Sequence, residues 1–429
     1  MTVLIAGGGI GGLTLALSLH QIGVPCRVFE SVSELKPLGV GINVLPHAVR
    51  ELIELGLLEK LDAIGVRTKE LAFFSKYGKP IWSEPRGIEA GYKWPQFSVH
   101  RGQLQQILLD AVIERLGVDN VLTSHHLSNW RETAEGVRAS FIDKATGKPA
   151  GSYDGTLLIA ADGIHSAIRE KLYPQEGAPL WNGRILWRGI TEADAFLSGR
   201  TMIMAGHEIL KFVCYPISRE PNARGKHLIN WVAERHMPPS YEWRREDYNR
   251  TAMLEDFLPW FKDWTFDWLD VPGLIRDCPH GYEYPLVDRD PLERWTFGRV
   301  TLIGDAAHPM YPIGSNGASQ SILDARVLAR EILARGEVPA ALEAYEAERR
   351  PATTELVRLN RRNGPEQVMQ LVEERAPQGF NVVTDVLSRQ ELEDIAANYK
   401  RVAGFQVEAL NAKPSIVPRL AVSQLSSAG

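Results

Sequence analysis

Three short segments carry residues whose types and order could do chemistry: GGGIGG at residues 7–12, ADGIHSAIR at 161–169 and GDAAHPMYPIGSNGASQ at 304–320. Gly7, Gly9 and Gly12 fill the pattern G-x-G-x-x-G. The first serves a tight turn, the second clears the backbone for a pyrophosphate, and the third lets a helix pack close to a strand. Ile10 opens that helix, whose free N–H groups and positive dipole end face an anion. Glu30 closes the run VPCRVFE, near the offset of about 20 residues at which a carboxylate meets a ribose diol. A carboxylate there disfavours a 2′-phosphate, so FAD or NAD is expected rather than NADP. Asp162-Gly163 and Gly304-Asp305 each end an apolar run, at the strand edge where doubly wound sheets bind ligands, and the Asp305 carboxylate can accept bonds from a polyol. Gly317 and Ala318 are small residues at the head of a further helix, where backbone donors and a partial positive charge can approach an anionic ring.

These residues need strands to end on and helices to begin. Val3 to Ala6 reads as a buried strand, and Ile10 to Gln21 as a helix with Leu13, Leu17 and His20 on spaced turns. Leu52, Leu55, Leu58 and Leu61 recur at helical spacing, Lys69 to Trp82 reads as a hairpin, and Arg101 to Leu116 as a helix. Short strands follow around Asn129 to Asp143. The apolar run Leu157 to Ala160 reads as a central parallel strand. From about Trp181 to Glu283 aromatic residues are frequent and helical periodicity is poor, which predicts a separate sheet. A buried strand at Arg299 to Ile303 and a helix after Gly317 then resume the first pattern. The fold class is therefore α/β, a Rossmann-like dinucleotide-binding domain with an inserted mainly β domain and a C-terminal helical region. The expected division is 1–180 with 282–355 for the nucleotide domain, 181–281 for a substrate-binding sheet joined by the 69–100 hairpin, and 356–429 for the helical region and tail. The stretch from Asn411 to Gly429, rich in Pro, Ser and Ala, is expected to be loosely ordered.

Bulk properties exclude several classes. The net charge of −5 with interspersed signs gives no nucleic-acid footprint, and Glu242 to Glu246 reads as a mixed-charge helix face. No stretch approaches the ~18 uninterrupted apolar residues of a membrane span. No Lys or Arg precedes the first apolar run, which argues against a secretory signal. Cys26, Cys214 and Cys278 are far apart and odd in number, so no disulfide framework or zinc site is supported and a cytoplasmic location is expected. His125-His126 and His308 lack partners at metal-ligand spacing, so no metal is expected. No Ser-His-Asp arrangement is recognisable.

In this order, the three segments resemble the single-component flavoprotein aromatic hydroxylases of the para-hydroxybenzoate hydroxylase type, over about Met1 to Pro351. The resemblance implies that the first segment binds the ADP half of FAD, that Asp162 and Gly163 support FAD and a visiting nicotinamide, and that Asp305 bonds the ribityl chain. It places Arg101 at the FAD pyrophosphate, a contact suited to a guanidinium fork, with Gln105 one turn later on the same face. Gly39 and Gly41 flank the implied flavin path. Ser315, Asn316 and Ser319 depart from the usual G-Q-G-small-Asn pattern, and GSNGASQ is similar to the branch that modifies phenazine carboxylates.

The implied reaction is the cofactor's: NADH or NADPH reduces FAD, O₂ adds to give a flavin C4a-hydroperoxide, and an OH passes to a small aromatic substrate. No second G-x-G-x-x-G is present, so NAD(P)H is expected to visit a shared groove, and no catalytic side chain is singled out. Trp187, Arg188, Phe212, Tyr215 and Trp231 are the candidate substrate lining. A flavin halogenase is disfavoured because Trp260, Trp264 and Trp268 lack the W-x-W-x-I-P arrangement. A flavoprotein that binds an aromatic pigment or antibiotic without converting it is the non-enzyme alternative. The assembly is expected to be a monomer or homodimer.

Overall fold

The strand Val3–Ala6 is apolar on both faces because both are covered. It pairs in parallel with Cys26–Phe29 on one side and Leu158–Ala160 on the other. Val300–Leu302 and Val121–Leu122 extend this to a five-stranded parallel sheet, the geometry that calls for continuous apolar runs. The computed structural model describes residues 2–37, 39–242, 250–362 and 364–418; most of the charged segment read at 242–246 lies outside them. Helix Ile10–Gln21 is buried from Ile10 to Leu19 rather than along one stripe. It is sandwiched against the sheet, with helices Arg101–Leu116 and Gly317–Arg335 beside it, and only its last turn, with His20, reaches solvent.

The second sheet has seven strands in the order Tyr282–Asp288, Leu180–Ala193, His227–His236, Leu210–Pro216, Thr201–Gly206, Glu70–Phe74 and Pro80–Pro85. The early hairpin therefore joins strands more than a hundred residues later, through parallel pairing of Leu71 with Met202 and Phe73 with Met204. Strand alternation sorts the side chains. Trp187, Phe212 and Trp231 lie on one face in a core with Phe257, Phe261 and Ile275. Leu71, Phe73, Met204, Val213 and Tyr215 lie on the other, where Val368, Met369, Val372 and Leu392 of the C-terminal region cover them.

The C-terminal helices also return to the first domain, where Tyr399, Phe405 and Leu410 pack on Leu45, Tyr92 and Leu356. The first part of the tail is anchored. Asn411 Nδ2 donates to the Gly91 carbonyl at 2.8 Å, and Ile416 and Val417 are buried in the nucleotide-domain core. Residues 419–429 lie outside the described residues.

One buried cation ties three helices of that core. Arg326 is fully buried. It donates through Nε to Glu51 Oε2 at 3.0 Å and through Nη1 to Gln21 Oε1 at 2.6 Å and Ser18 Oγ at 3.3 Å. Arg326→Ala would leave the Glu51 carboxylate, 1% exposed, without its main partner. A loss of about 3–5 kcal/mol in unfolding free energy is expected from denaturant titration, the usual cost of stranding one member of a buried pair.

Candidate active site

The first glycine segment is built by close approach. Gly7 has φ of 112°, and a side chain on it would overlap the Ala161 carbonyl of the neighbouring strand, while one on Gly12 would overlap the Gly7 carbonyl oxygen. Around the Cβ position of Gly9 there is open space to 4 Å, so the backbone is clear on the side where a ligand approaches. The helix that starts at Ile10 has no side-chain cap, which leaves its first N–H groups available to an anion. Glu30 is fixed beside this turn. Its Oε2 accepts from Gly8 N at 2.8 Å, and its Oε1 accepts from Ser31 Oγ at 2.9 Å and Val32 N at 3.0 Å. Gln105 Nε2 donates to the Gly8 carbonyl at 2.8 Å, so its amide braces the turn. Arg101 starts the next helix beside Gly39, exposed, and its guanidinium has no hydrogen-bond or ion-pair partner among the described residues.

The second and third segments are locked together. Arg169 is buried and donates through Nη1 to the carbonyls of Ala306 at 3.0 Å and Ala307 at 3.1 Å. Asp162, at the end of strand Leu158–Ala160, accepts from Ala167 N through Oδ2 at 2.9 Å, while its Oδ1 is buried with no hydrogen-bond partner. Burial pushes its carboxyl up to about 6. Gly163 follows it in an open turn. Asp305 opens to the cleft, yet desolvation by the protein around it holds its carboxyl above the ordinary range, against the pull of His308 and Arg101.

What holds the Gly304-Asp305 turn is Asp324, a residue the sequence reading did not single out. Asp324 is fully buried and accepts from Gly304 N at 2.9 Å, Arg349 Nε at 2.7 Å and His308 Nε2 at 2.5 Å. Burial raises its carboxyl, but His308 and Arg349 outweigh that and keep it below the usual range. A signal was present in the sequence: Asp324 is an acid between Ile322 and Ala325 on a helix otherwise apolar there.

Helix Gly317–Arg335 begins with Asn316, which makes no side-chain cap, so its first amides face the cleft uncapped. Gly317 has open space around it, and Ala318 packs at the edge of the core. Ser319 Oγ accepts from Leu45 N at 3.1 Å, which ties this helix to the end of strand Gly41–Val44. Gly41 N donates to Asn230 Oδ1 at 2.7 Å, and the Gly41 carbonyl accepts from Arg188 Nη2 at 3.1 Å. The cleft is thus closed on its far side by the second sheet.

Of the five candidate lining residues, the structure brings Arg188 and Tyr215 to this face. Trp187, Phe212 and Trp231 are corrected to core positions on the opposite face, because neighbours in a strand point to opposite sides. Trp187 stacks on Phe257 with ring centroids 4.9 Å apart, and Trp231 Nε1 donates to Thr191 Oγ1 at 3.0 Å. Asn230, Tyr284 and Leu186 share the sheet face of Arg188, and Tyr311 packs on it. Arg188 has its guanidinium 6.0 Å from the centroid of the Tyr284 ring, its Nε buried without a hydrogen-bond partner, and its basicity lowered by desolvation.

An open approach at Gly9, an unpaired guanidinium at Arg101, an orphaned carboxylate oxygen on Asp162, an open Asp305 and an uncapped helix form a continuous set of donors and acceptors. Phosphates, a polyol and an anionic ring are the groups they suit, which is the inventory of FAD.

Comparison with known proteins agrees. The FAD binding domain family matches residues 1–182 and 287–360. The phenazine 1,6-dicarboxylic acid hydroxylase PhzS of Lysobacter antibioticus is 47% identical over 365 residues, covering 84% of this chain and 89% of its own. The aurachin C monooxygenase/isomerase of Stigmatella aurantiaca is 32% identical over 354 residues, covering 81% and 85%. The crystal structure of Klebsiella pneumoniae HpxO complexed with FAD and uric acid superposes with a TM-score of 0.73 at 24% identity, covering 96% of this chain and 97% of that one, and shows the shared fold.

The raised Asp162 carboxyl gives a pH signature. A carboxyl ordinarily near 3.8 and pushed to about 6 on folding contributes stability that is full below 3.8 and lost as pH rises through 6. Asp162→Asn keeps an acceptor for Ala167 N and removes the buried charge. Denaturant unfolding of the flavin-free protein at pH 4 and pH 7 should show the variant gaining about 2–3 kcal/mol on wild type between the two. An equal pH dependence in both proteins would show that Asp162 does not titrate in that window.

Proposed function

The chain belongs to the FAD binding domain family and is an FAD-dependent monooxygenase supplied by NAD(P)H and O₂, and on that premise we propose that its substrate is a planar aromatic carboxylate of the phenazine kind. When bound, FAD takes reducing equivalents from NAD(P)H and activates O₂ for transfer of one oxygen atom to an electron-rich ring. The protein's part is to bind, orient and exclude water. Arg101 and the amides after Gly9 would hold the pyrophosphate, Glu30 the ribose and Asp305 the ribityl hydroxyls. The uncapped first amides of helix Gly317–Arg335 would stabilise the negative charge that the ring carries when reduced. Asp162 and Gly163 stand beside the path of a visiting NADH or NADPH.

The observation that carries the substrate class is Arg188. It is a desolvated cation on the cleft face with a free Nε and no acidic partner among the described residues. A buried guanidinium without a counter-charge is costly unless a ligand supplies one, and a carboxylate matches its fork. Tyr215 and Tyr284 flank it and offer faces for a flat ring. The name of the Lysobacter relative supports an aromatic dicarboxylic acid in this position.

We also take residues 1–180 with 282–355 as the flavin-binding unit, 181–281 with the 69–100 hairpin as the substrate unit, and 356–429 as a helical closure. The enzyme is read as cytoplasmic, since its three cysteines are all free thiols, and as a monomer or homodimer.

Two measurements test this reading. NAD(P)H oxidation and product mass should be followed with phenazine-1,6-dicarboxylate and with unsubstituted phenazine, in wild type and Arg188→Met. Loss of a hydrogen-bonded charge contact of roughly 1.5–3 kcal/mol should raise KM for the dicarboxylate about 10- to 100-fold and leave the neutral ring unaffected. Equal effects on both compounds would remove Arg188 from carboxylate recognition. Arg101→Ala should weaken FAD binding by a similar factor in equilibrium dialysis, and an unchanged dissociation constant would place Arg101 outside the pyrophosphate site.

A further inference from the structure

Helix Arg389–Val402 lies beyond the residues that match the family, yet one of its side chains reaches the bend that precedes helix Gly317–Arg335. Just before helix Gly317–Arg335, the chain turns through two consecutive left-handed residues, Gly314 at φ 68° and Ser315 at φ 57°. The second is unfavourable for a residue with a side chain and persists only where the surroundings enforce it. Tyr399 is what surrounds it. Its hydroxyl occupies the space a side chain on Gly314 would need. The same hydroxyl accepts from Asn316 Nδ2 at 3.0 Å and has two acceptors in reach, the Ile313 carbonyl at 3.2 Å and Asn360 Oδ1 at 3.4 Å.

From this hydroxyl the bonds run without a gap to the Gly304 turn. Asn316 Oδ1 accepts from Gln320 Nε2 at 3.1 Å. Gln320 Oε1 accepts from Arg349 Nη2 at 2.6 Å, and Arg349 Nε donates to Asp324, which holds Gly304 N. On the other side Asn360 Nδ2 donates to the Tyr311 carbonyl at 3.1 Å. Tyr399, Asn316, Gln320 and Asn360 are all buried. In such a network each partner fixes the next, and a missing member leaves buried polar atoms unpaired.

We propose that Tyr399 is a positioning residue for the flavin: from the C-terminal region it fixes the bend at Ile313–Asn316 and so aims the first amides of helix Gly317–Arg335. This rests on the reading that the ring of FAD lies at that helix terminus. Asn316 is one of the residues that depart from the usual pattern of the third segment, and Tyr399 is its partner. A purely structural Tyr399 would act through its ring, which packs against Phe405 with centroids 6.3 Å apart and an interplanar angle of 73°.

Tyr399→Phe keeps the ring and removes only the hydroxyl. In the FAD-loaded variant the expected results are retained flavin, a near-normal melting temperature, an altered flavin absorption band shape and a lower midpoint potential. The potential falls because amides aimed less well at the reduced, negative ring stabilise it less. Hydroxylated product per NAD(P)H should fall about tenfold, with hydrogen peroxide making up the difference, since small misplacements of a reacting group are costly. Asn316→Ala should do the same, and the double variant should be no worse than either single, because both cut one chain of bonds.

Wild-type spectrum, potential and coupling in Tyr399→Phe would overturn the proposal, as would additive effects in the double variant. If Tyr399→Phe does not fold, Asn316→Ala decides by the same three readouts. Asp305→Ala separates the proposal from the reading beneath it. Unchanged FAD affinity in that variant removes the site itself, whereas lost affinity together with a silent Tyr399→Phe removes only the positioning role.

Discussion

A carboxylate taken wholly out of water must be matched by donors, and Asp324 gathers three: Gly304 N and His308 from one turn, and Arg349 from a later helix. The rest of the cleft depends on this charge. Gly304 has its position because Asp324 holds its N–H, and Asp305 is thereby presented at the strand end. Arg349 is held by Asp324 on one side and reaches Gln320 on the other, which orients Asn316. Arg169 brings the Asp162 segment to the same turn through the carbonyls of Ala306 and Ala307. The strand ends that form the floor of the cleft are therefore one bonded unit, tied by the buried charges of Asp324, Arg349 and Arg169.

The second sheet closes this floor with a different logic. Its core face is filled by aromatic rings, and its other face grades from apolar to charged. At the far end Lys211 pairs with Glu366 and, at 2.9 Å, with Glu234, while Arg184 Nε stands 3.4 Å from Glu234. Glu366 belongs to the C-terminal region, so one end of that region is bonded to the second sheet by Lys211 and the other to the bend before helix Gly317–Arg335 by Tyr399. Two domains that share a cleft usually move against one another. Here a third segment, after residue 360, is bonded to both.

Much of this was legible in the sequence, because the glycine segments specify local geometry. Gly7 and Gly12 admit no side chain where strand and helix approach, so the turn, the helix and the strand end follow from three residues. The parallel sheet was legible for a related reason: a strand covered on both faces must be apolar throughout, as Leu157 to Ala160 is. The inserted sheet was harder. Its strands carry large aromatic residues on one face and mixed residues on the other, so aromatic content alone did not say which face met the ligand. Trp187 and Arg188 are neighbours, and only the pairing of strand Leu180–Ala193 with its partners decides that Arg188 faces the cleft. Asp324 showed only as an acid in an apolar stretch of helix, which names neither its partners nor its role, and Tyr399 did not show at all, since it acts through residues outside its own segment.

Unsatisfied groups distinguish the site from the core, but only when charge is considered. Trp295 also has an indole N–H buried without a hydrogen-bond partner, and it lies in the middle of the nucleotide-domain core beside His308 and Tyr345. A neutral donor left unpaired costs a modest amount, which dense packing offsets. Asp162 and Arg188 are different in kind. One is a carboxylate at a parallel strand end, and the other a guanidinium on the cleft face of a sheet. Desolvation shifts both toward their neutral forms, and neither finds a protein counter-ion among the described residues. An uncompensated acid and an uncompensated base each cost stability that a ligand carrying the opposite charge or the matching donors would return. On the proposed reading the ligands supply the partners: donors of the cofactor and its visiting nucleotide for Asp162, and an anionic aromatic for Arg188.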